Sequence, residues 1–264
     1  MIQALLFILC LGFSANAYVP KLSTVLGKMV STTGGTKGFI LKRTVTLKDD
    51  NAVANETWYI GHADSMKVDV DGTNADGTPW KFEILYKGGK RMTTSVEGKI
   101  QSFPLSPEFY EPLLHYRSSR ALQGRLLAMQ LIPNNNSSES ASSVFMNLDR
   151  YKGAVAYVLG AQDSKNTLQP PRLWVEQDSF LIRKLRMGSQ IEVEFDAFKD
   201  FEEGKIKEAE LQTLFWKSST VIIQNTSTQL VEPKKIESFL KIQKEAKAVL
   251  PQNTNLKEFY SRFR

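Results

Sequence analysis

The stretch FILKRTVTL, residues 39–47, decides the fold because its apolar side chains alternate with polar ones. Successive side chains of a β-strand point to opposite faces of the sheet, so this period of two predicts a strand with one buried and one hydrated face. Arg43 is the exception, since the alternation places its guanidinium on the apolar face. The odd positions carry the apolar side chains Phe39, Leu41, Val45 and Leu47.

The same alternation recurs from residue 38 to residue 98, in short runs separated by Gly, Asn and Asp. Such spacing is typical of an antiparallel meander. One face of the predicted sheet therefore gathers a large aromatic and aliphatic surface that another part of the chain must cover. Its later members are Trp58, Ile60, Met66, Val68, Val70, Trp80, Phe82, Ile84 and Tyr86.

Residues 106–131 are the predicted cover for this apolar face. Ser106 is a suitable N-cap and Pro107 a suitable first helical residue. Apolar residues, Leu113 among them, then recur at helical spacing. We expect one long bent helix or two short ones here.

The rest of the chain repeats the design after a polar break at residues 134–143. A first helix is predicted at residues 21–31. A final amphipathic helix is predicted from Glu232 and Pro233, with an apolar side formed by Ile236, Phe239, Leu240, Val249 and Leu250. The second block of predicted strands covers residues 172–176, 180–186, 190–198, 208–217 and 220–230. The predicted fold class is α+β, with a strongly curved antiparallel sheet.

Residues 1–17 predict export. An uncharged apolar run is followed by Ala15-Asn16-Ala17, which is typical of a cleaved secretory signal peptide; an apolar first helix is the alternative. Cys10 follows Ile8-Leu9, where a lipoprotein signal would carry small residues, so we assign it to the removed peptide. We expect a periplasmic protein with a main domain at residues 18–231 and a helical extension at residues 232–264.

The composition limits the classes of function that the protein can have. The remaining sequence has no cysteine, which excludes disulfides and thiolate chemistry. The net charge of +6 favours anionic surfaces such as lipid headgroups. An evenly solvated surface is the preferred interpretation, because no run of basic residues is longer than Lys234-Lys235. Without a basic stripe, nucleic acid is not an expected partner.

No catalytic motif is present. His62 and His115 lack neighbours at metal-ligand spacing and are interpreted as surface or turn residues. Residues 69–77 resemble a calcium loop in composition, but position six is Asn74 and position twelve is Trp80, so we interpret them as a hairpin turn. We predict no metal, no cofactor and no enzymatic activity.

Arg43 needs a partner on its apolar face. One interpretation is that Arg43 reaches the sheet rim or pairs with an acidic side chain. The second is that it binds carbonyl groups of the covering helix or loop and so controls how the apolar face becomes exposed. The second interpretation predicts that Arg43→Leu changes ligand occupancy more than folding. Reduced thermal stability with unchanged ligand content would support the first.

The order of elements resembles the LolA/LolB lipoprotein-carrier superfamily, which includes RseB-type lipid-sensing domains. Residues 173–185, LWVEQDSFLIRKL, look like the strand-turn-strand passage of the family, and residues 191–199, IEVEFDAFK, are similar to its next strand. Residues 56–58 and 68–72 look like its earlier strands.

This resemblance implies an incomplete antiparallel β-barrel plugged by helices, with an apolar cavity for the acyl chains of lipids or lipoproteins. The expected function is a monomeric periplasmic carrier that can touch a membrane peripherally. The alternatives are an RseB-type envelope module that binds a partner protein through residues 232–264, and a filled structural domain. The candidate cavity lining is Phe39, Leu41, Arg43, Val45, Trp58, Ile60, Trp80, Phe82, Ile84 and Leu113.

Overall fold

A computed structural model describes residues 19–33, 38–133, 145–161, 169–201, 206–243 and 247–264. The predicted signal peptide lies outside the described residues. The helices among the described residues are α1 (Leu22–Thr33), a 3₁₀ helix (Glu111–Leu114), α2 (Ser119–Ala128), α3 (Pro233–Phe239) and α4 (Thr254–Phe263). The strands are β1 (Gly38–Leu47), β2 (Ala52–His62), β3 (Ser65–Thr73), β4 (Pro79–Lys87), β5 (Lys90–Thr94), β6 (Ile100–Pro104), β7 (Met146–Tyr151), β8 (Ala154–Gly160), β9 (Arg172–Glu176), β10 (Ile182–Arg186), β11 (Ile191–Phe201), β12 (Ile206–Trp216) and β13 (Ser219–Val231).

All thirteen described strands form one antiparallel sheet in the order β6-β5-β4-β3-β2-β1-β13-β12-β11-β10-β9-β8-β7. Two meanders meet where β1 pairs with β13, from Gly38 opposite Val231 to Leu47 opposite Val221. β6 and β7 remain the two edges, so the sheet does not close. The predicted α+β class and incomplete barrel are confirmed.

The two faces of the sheet differ as the alternation predicts. We call the face that bears Leu41, Arg43 and Val45 the inner face. Its apolar side chains join α1, α2, the residues around the 3₁₀ helix and α4 in one buried core. The opposite, outer face carries α3, where Ile236 packs on Gly38 and Phe239 stacks on Tyr59 with ring centroids 4.9 Å apart.

The covering segment differs from the prediction at its start. Residues 106–110 form a turn, closed by the hydrogen bond that Phe109 N donates to Ser106 O, and the α-helix begins only at Ser119. Every residue from Phe109 to Tyr116 is buried. A segment that is enclosed on all sides does not require one polar and one apolar side. The helical spacing of its apolar residues therefore predicted the wrong starting residue for the α-helix. The segment contains two short helices, the 3₁₀ helix and α2, which is one of the two arrangements that the sequence predicts.

The predicted final helix was wrong beyond Phe239. It begins at Pro233 as expected but ends at Phe239. Val249 and Leu250 do not share its apolar side; they are about half exposed, at 47% and 48%. A separate helix, α4, carries the second apolar side, with Leu256, Phe259, Tyr260 and Phe263 buried.

The chain between α3 and α4 crosses from one face of the sheet to the other. Val249 and Lys81 exchange two backbone hydrogen bonds of 2.8 and 3.0 Å, and Ala248 N donates to Ser95 O at 3.2 Å. The chain therefore passes between β4 and the end of β5, where those strands no longer pair. This crossing delivers α4 to the inner face. Over the described residues, no helix combines the length and the apolar character needed to cross a bilayer.

Candidate functional site

The ten residues predicted to line a cavity all lie on or against the inner face. Their exposed fractions run from 0 to 7%, and the nine apolar ones belong to the same core. Their side chains are packed against other parts of the chain. Two of them, Trp80 and Phe82, also border open clefts.

Aromatic side chains provide most of the cover on the β1–β4 half of the inner face. Tyr86 stacks between Trp58 and Phe109, with centroid distances of 5.9 and 4.2 Å. From α4, Tyr260 makes an edge contact with Phe82 at 5.1 Å. Tight packing also limits the backbone here: a Cβ on Gly72 would lie 2.3 Å from the Trp80 ring, so only glycine fits. α4 thus occupies the surface that the resemblance assigns to a ligand.

Arg264, directly after α4, is buried in this aromatic layer together with Glu56 of β2. Arg264 Nε lies 3.0 Å from Glu56 Oε1, and both side chains are fully buried. The Trp58 indole donates to Glu56 Oε2 at 2.7 Å, and the Arg264 guanidinium lies 5.5 Å from the Trp58 ring. Burial by itself lowers the pKa of Arg264, but Glu56, Tyr110 and Glu111 together outweigh it and hold that pKa above its ordinary value. The guanidinium therefore stays charged inside the protein.

A second buried group of charges surrounds Arg43. Arg43 Nη1 donates to Glu111 Oε1 at 2.8 Å, and His115 Nε2 is hydrogen-bonded to the same oxygen at 2.9 Å. Glu208 of β12 lies 4.0 Å from Arg43 Nη2 and 3.7 Å from His115 Nδ1. Burial would raise the pKa of Glu111, yet Arg43 and His115 together hold it well below its usual range.

These contacts decide between the interpretations of the sequence. Arg43 pairs with an acidic side chain, and that acid belongs to the 3₁₀ helix that covers the face. His62 is exposed at the end of β2, in agreement with the surface interpretation, and its Nδ1 accepts a hydrogen bond from Asp64 N at 3.2 Å. The interpretation of His115 as a surface or turn residue was wrong, because His115 is 2% exposed. The spacing of Glu111 and His115, four residues apart, was the available signal, and so was the position of Glu56 two residues before Trp58.

Glu208 gives a prediction on pH. Burial raises its pKa, against the opposing effects of His115 and Arg43. A carboxyl group with a raised folded pKa stabilises the protein below about pH 4.5, its unfolded value, and this contribution is lost as the pH rises through the folded pKa. Glu208→Gln should therefore gain melting temperature relative to the parent between pH 4 and pH 7. If the melting temperature of Glu208→Gln relative to the parent instead falls between pH 4 and pH 7, Glu208 serves as a charged partner of His115.

An open groove adjoins the covered face between α4 and the β5–β6 hairpin. Its volume is about 700 Å³, within the range of small-molecule sites. Phe82 and Tyr260 border the groove, and its exposed apolar residues are Val96, Phe103 and Leu250. Its charged lining residues are Arg91, Lys257 and Glu258. The groove thus combines an apolar wall with three charged groups.

The segment of residues 69–77 lies in the β3–β4 hairpin, as expected. Asp76 accepts hydrogen bonds from the backbone and hydroxyl of Thr78 at 2.9 and 2.6 Å, which closes the turn. Among the described residues, no group of three or more His, Cys, Asp or Glu is placed to hold a metal ion.

Comparisons with known proteins bear on the fold. No family model matches the sequence, and no curated protein matches it. A LolA superfamily protein from Nitrosomonas europaea is 14% identical, with 83% of this chain and 97% of that chain covered and a TM-score of 0.52. A protein described as an outer membrane lipoprotein-sorting domain, from Vibrio parahaemolyticus, is 11% identical with the same coverage and a TM-score of 0.51.

The complex of MucA and MucB from Pseudomonas aeruginosa is a further match, at 13% identity and a TM-score of 0.26, with 86% of this chain and 62% of that chain covered. At these identities the two better matches bear on the fold, and neither name denotes an enzyme. They confirm the resemblance noted in the sequence at the level of architecture: this chain has the fold of the LolA superfamily.

Proposed function

We propose that this protein is a periplasmic carrier that holds the acyl chains of a lipid or lipoprotein on its inner face. The observation that carries the proposal is the aromatic inner face under α4, which continues into the open groove beside that helix. We favour the carrier over a partner-binding envelope module because this feature suits an apolar ligand. The proposal also rests on the predicted signal peptide and involves no catalytic step.

Loading requires α4 and the ligand to exchange places, and the energies permit it. α4 buries four large apolar side chains on the inner face, worth roughly 6–12 kcal/mol at about 1.5–3 kcal/mol each. One acyl chain of about sixteen carbons offers a comparable amount, at roughly 0.8 kcal/mol for each buried CH₂. The separation of Glu56 from Arg264 opposes the exchange. A ligand with two or three chains therefore competes with α4 more effectively than a single fatty acid.

The first test is to purify the protein from its native envelope, record its mass under non-denaturing conditions and analyse the extracted lipid. We expect an acylated species in stoichiometric amount. The purified protein should also take up the fluorescent fatty acid 11-(dansylamino)undecanoic acid. An unliganded mass together with no uptake of the probe would contradict the carrier function.

A covalent lock on α4 tests the exchange itself. Lys217, in the β12–β13 turn, and Glu258, in α4, form an exposed ion pair of 2.9 Å. Lys217→Cys and Glu258→Cys in a Cys10→Ser background can be joined by a bis-maleimide linker, which ties α4 down without altering the core. We expect the linker to reduce probe uptake at least tenfold.

The matched control joins Lys152→Cys to Asp196→Cys, another exposed pair at 2.8 Å, which lies away from α4. This linker should leave uptake unchanged. Full uptake by the protein with α4 locked would mean that the ligand occupies the open groove and α4 does not move.

A further inference from the structure

A basic cleft lies where α3 packs against the outer face of the sheet. Its volume is about 680 Å³. It is bordered by His62 and Ser65 of the β2–β3 hairpin, by the end of β4 and by α3. Its charged lining residues, apart from His62, are Lys87, Lys234, Glu237 and Lys241.

The tertiary structure brings these lysines together from distant parts of the sequence. Lys87 ends β4 and lies opposite Ser65 on one side and Lys90 on the other. Gly88 and Gly89 form the tight turn between the two lysines, with φ values of +58° and +73°. Leu240, directly after α3, packs closely on Gly61 of β2: a Cβ on Gly61 would lie only 3.1 Å from Leu240 Cδ1.

The charges around the cleft are not balanced. Among the described residues, Lys87, Lys90, Lys234 and Lys241 have no carboxylate within ion-pair distance, and Glu237 is the single acid lining the cleft. Lys67, on the same outer face, shows the contrast, since Asp69 and Glu83 lie 2.9 and 3.1 Å from its ammonium group. Like charges directly opposite each other, as Lys87 and Lys90 are, destabilise a strand pair. An anion in the cleft would relieve this repulsion.

We propose that this cleft binds the phosphate group of an anionic phospholipid and so places the protein on a membrane surface. The argument is charge complementarity: three lysines converge on a concave surface, and the whole chain carries a net charge of +6. Each lysine near an anionic bilayer contributes about a fivefold gain in binding. The cleft acts independently of acyl-chain binding on the inner face, because the two sites lie on opposite faces of the sheet.

The test measures binding of the full chain to vesicles of phosphatidylglycerol and of phosphatidylcholine. The triple variant Lys87→Gln, Lys234→Gln, Lys241→Gln should bind phosphatidylglycerol vesicles about 100-fold more weakly. The control variant Lys28→Gln, Lys48→Gln, Lys99→Gln removes the same charge from exposed sites away from the cleft and should stay within a few-fold of the parent.

Three results would overturn the proposal. Equal losses in the two triple variants would mean that net charge alone drives binding. Equal binding of the parent to both kinds of vesicle would indicate acyl-chain uptake without headgroup recognition. Binding of soluble glycerol 3-phosphate that is lost in the cleft variant, with no binding to vesicles, would make the ligand a free phosphate compound instead of a bilayer.

Discussion

Replacing Arg264 with methionine is expected to lower the free energy of unfolding by about 3–5 kcal/mol, the effect of removing one partner from a buried ion pair. Glu56 would keep its hydrogen bond from Trp58 but lose the cation 3.0 Å from its other oxygen. Urea unfolding, followed by fluorescence and circular dichroism, measures this loss.

Two variants make the Arg264 experiment decisive. Arg262→Met removes the arginine in the last turn of α4, but Arg262 is partly exposed and pairs with Glu108, so its loss should cost at most about 1 kcal/mol. The double variant Glu56→Gln, Arg264→Met removes both charges and should recover part of the stability lost in Arg264→Met. Equal costs for Arg262→Met and Arg264→Met would contradict the buried pair.

Arg264→Met also bears on the proposed carrier. If α4 leaves the inner face during loading, weakening its attachment at Glu56 should increase uptake of the dansylated fatty acid at a given concentration. The stability effect comes from the buried pair itself, so it does not depend on the carrier proposal. The two measurements can therefore fail separately.

Arg43→Leu should lower the free energy of unfolding by a similar amount, about 3–5 kcal/mol at pH 7. The variant leaves the buried Glu111 without the guanidinium 2.8 Å away. In the parent the pKa of Glu111 is depressed, so its stabilising effect is complete above about pH 4.5, the unfolded value, and is lost as the pH falls through the lower folded pKa.

In Arg43→Leu, burial acts on Glu111 without Arg43 and raises its folded pKa, which destabilises the variant as the pH rises above about 4.5. The difference in stability between parent and variant should therefore widen from pH 4 to pH 7. Glu111→Gln combined with Arg43→Leu should remove most of this pH dependence. A difference that does not change with pH would show that Glu111 is not the group left unpaired.

The sheet and its inner face were predictable because the alternation of apolar and polar residues along a strand shows which face is buried. In β1, β2 and β4 every position that the alternation marks as apolar is buried, and all ten candidate cavity residues are buried. Arg43 could be recognised as a buried charge for the same reason, since it breaks the apolar series. These are local properties of a few consecutive residues.

The cover could be predicted only in outline. Helical spacing identifies an amphipathic helix with one buried side, and it fails at residues 109–116, which are enclosed on every side. The same limit applies to the tail. Val249 and Leu250 match the apolar pattern of α3, but two backbone hydrogen bonds to Lys81 draw this part of the chain away from the helix.

By itself, the sequence determined where most of the strands form, which of their faces is buried, and that a charged Arg43 on that face needs a partner. The tertiary structure alone decided the partners: Glu111 for Arg43, Arg264 for Glu56, and Lys87 beside Lys234 and Lys241. The physical reason is the distance along the sequence over which each feature is determined. The alternation of a strand depends on residues two positions apart, whereas a buried ion pair or a basic cleft depends on which distant segments the closed core brings within a few ångströms.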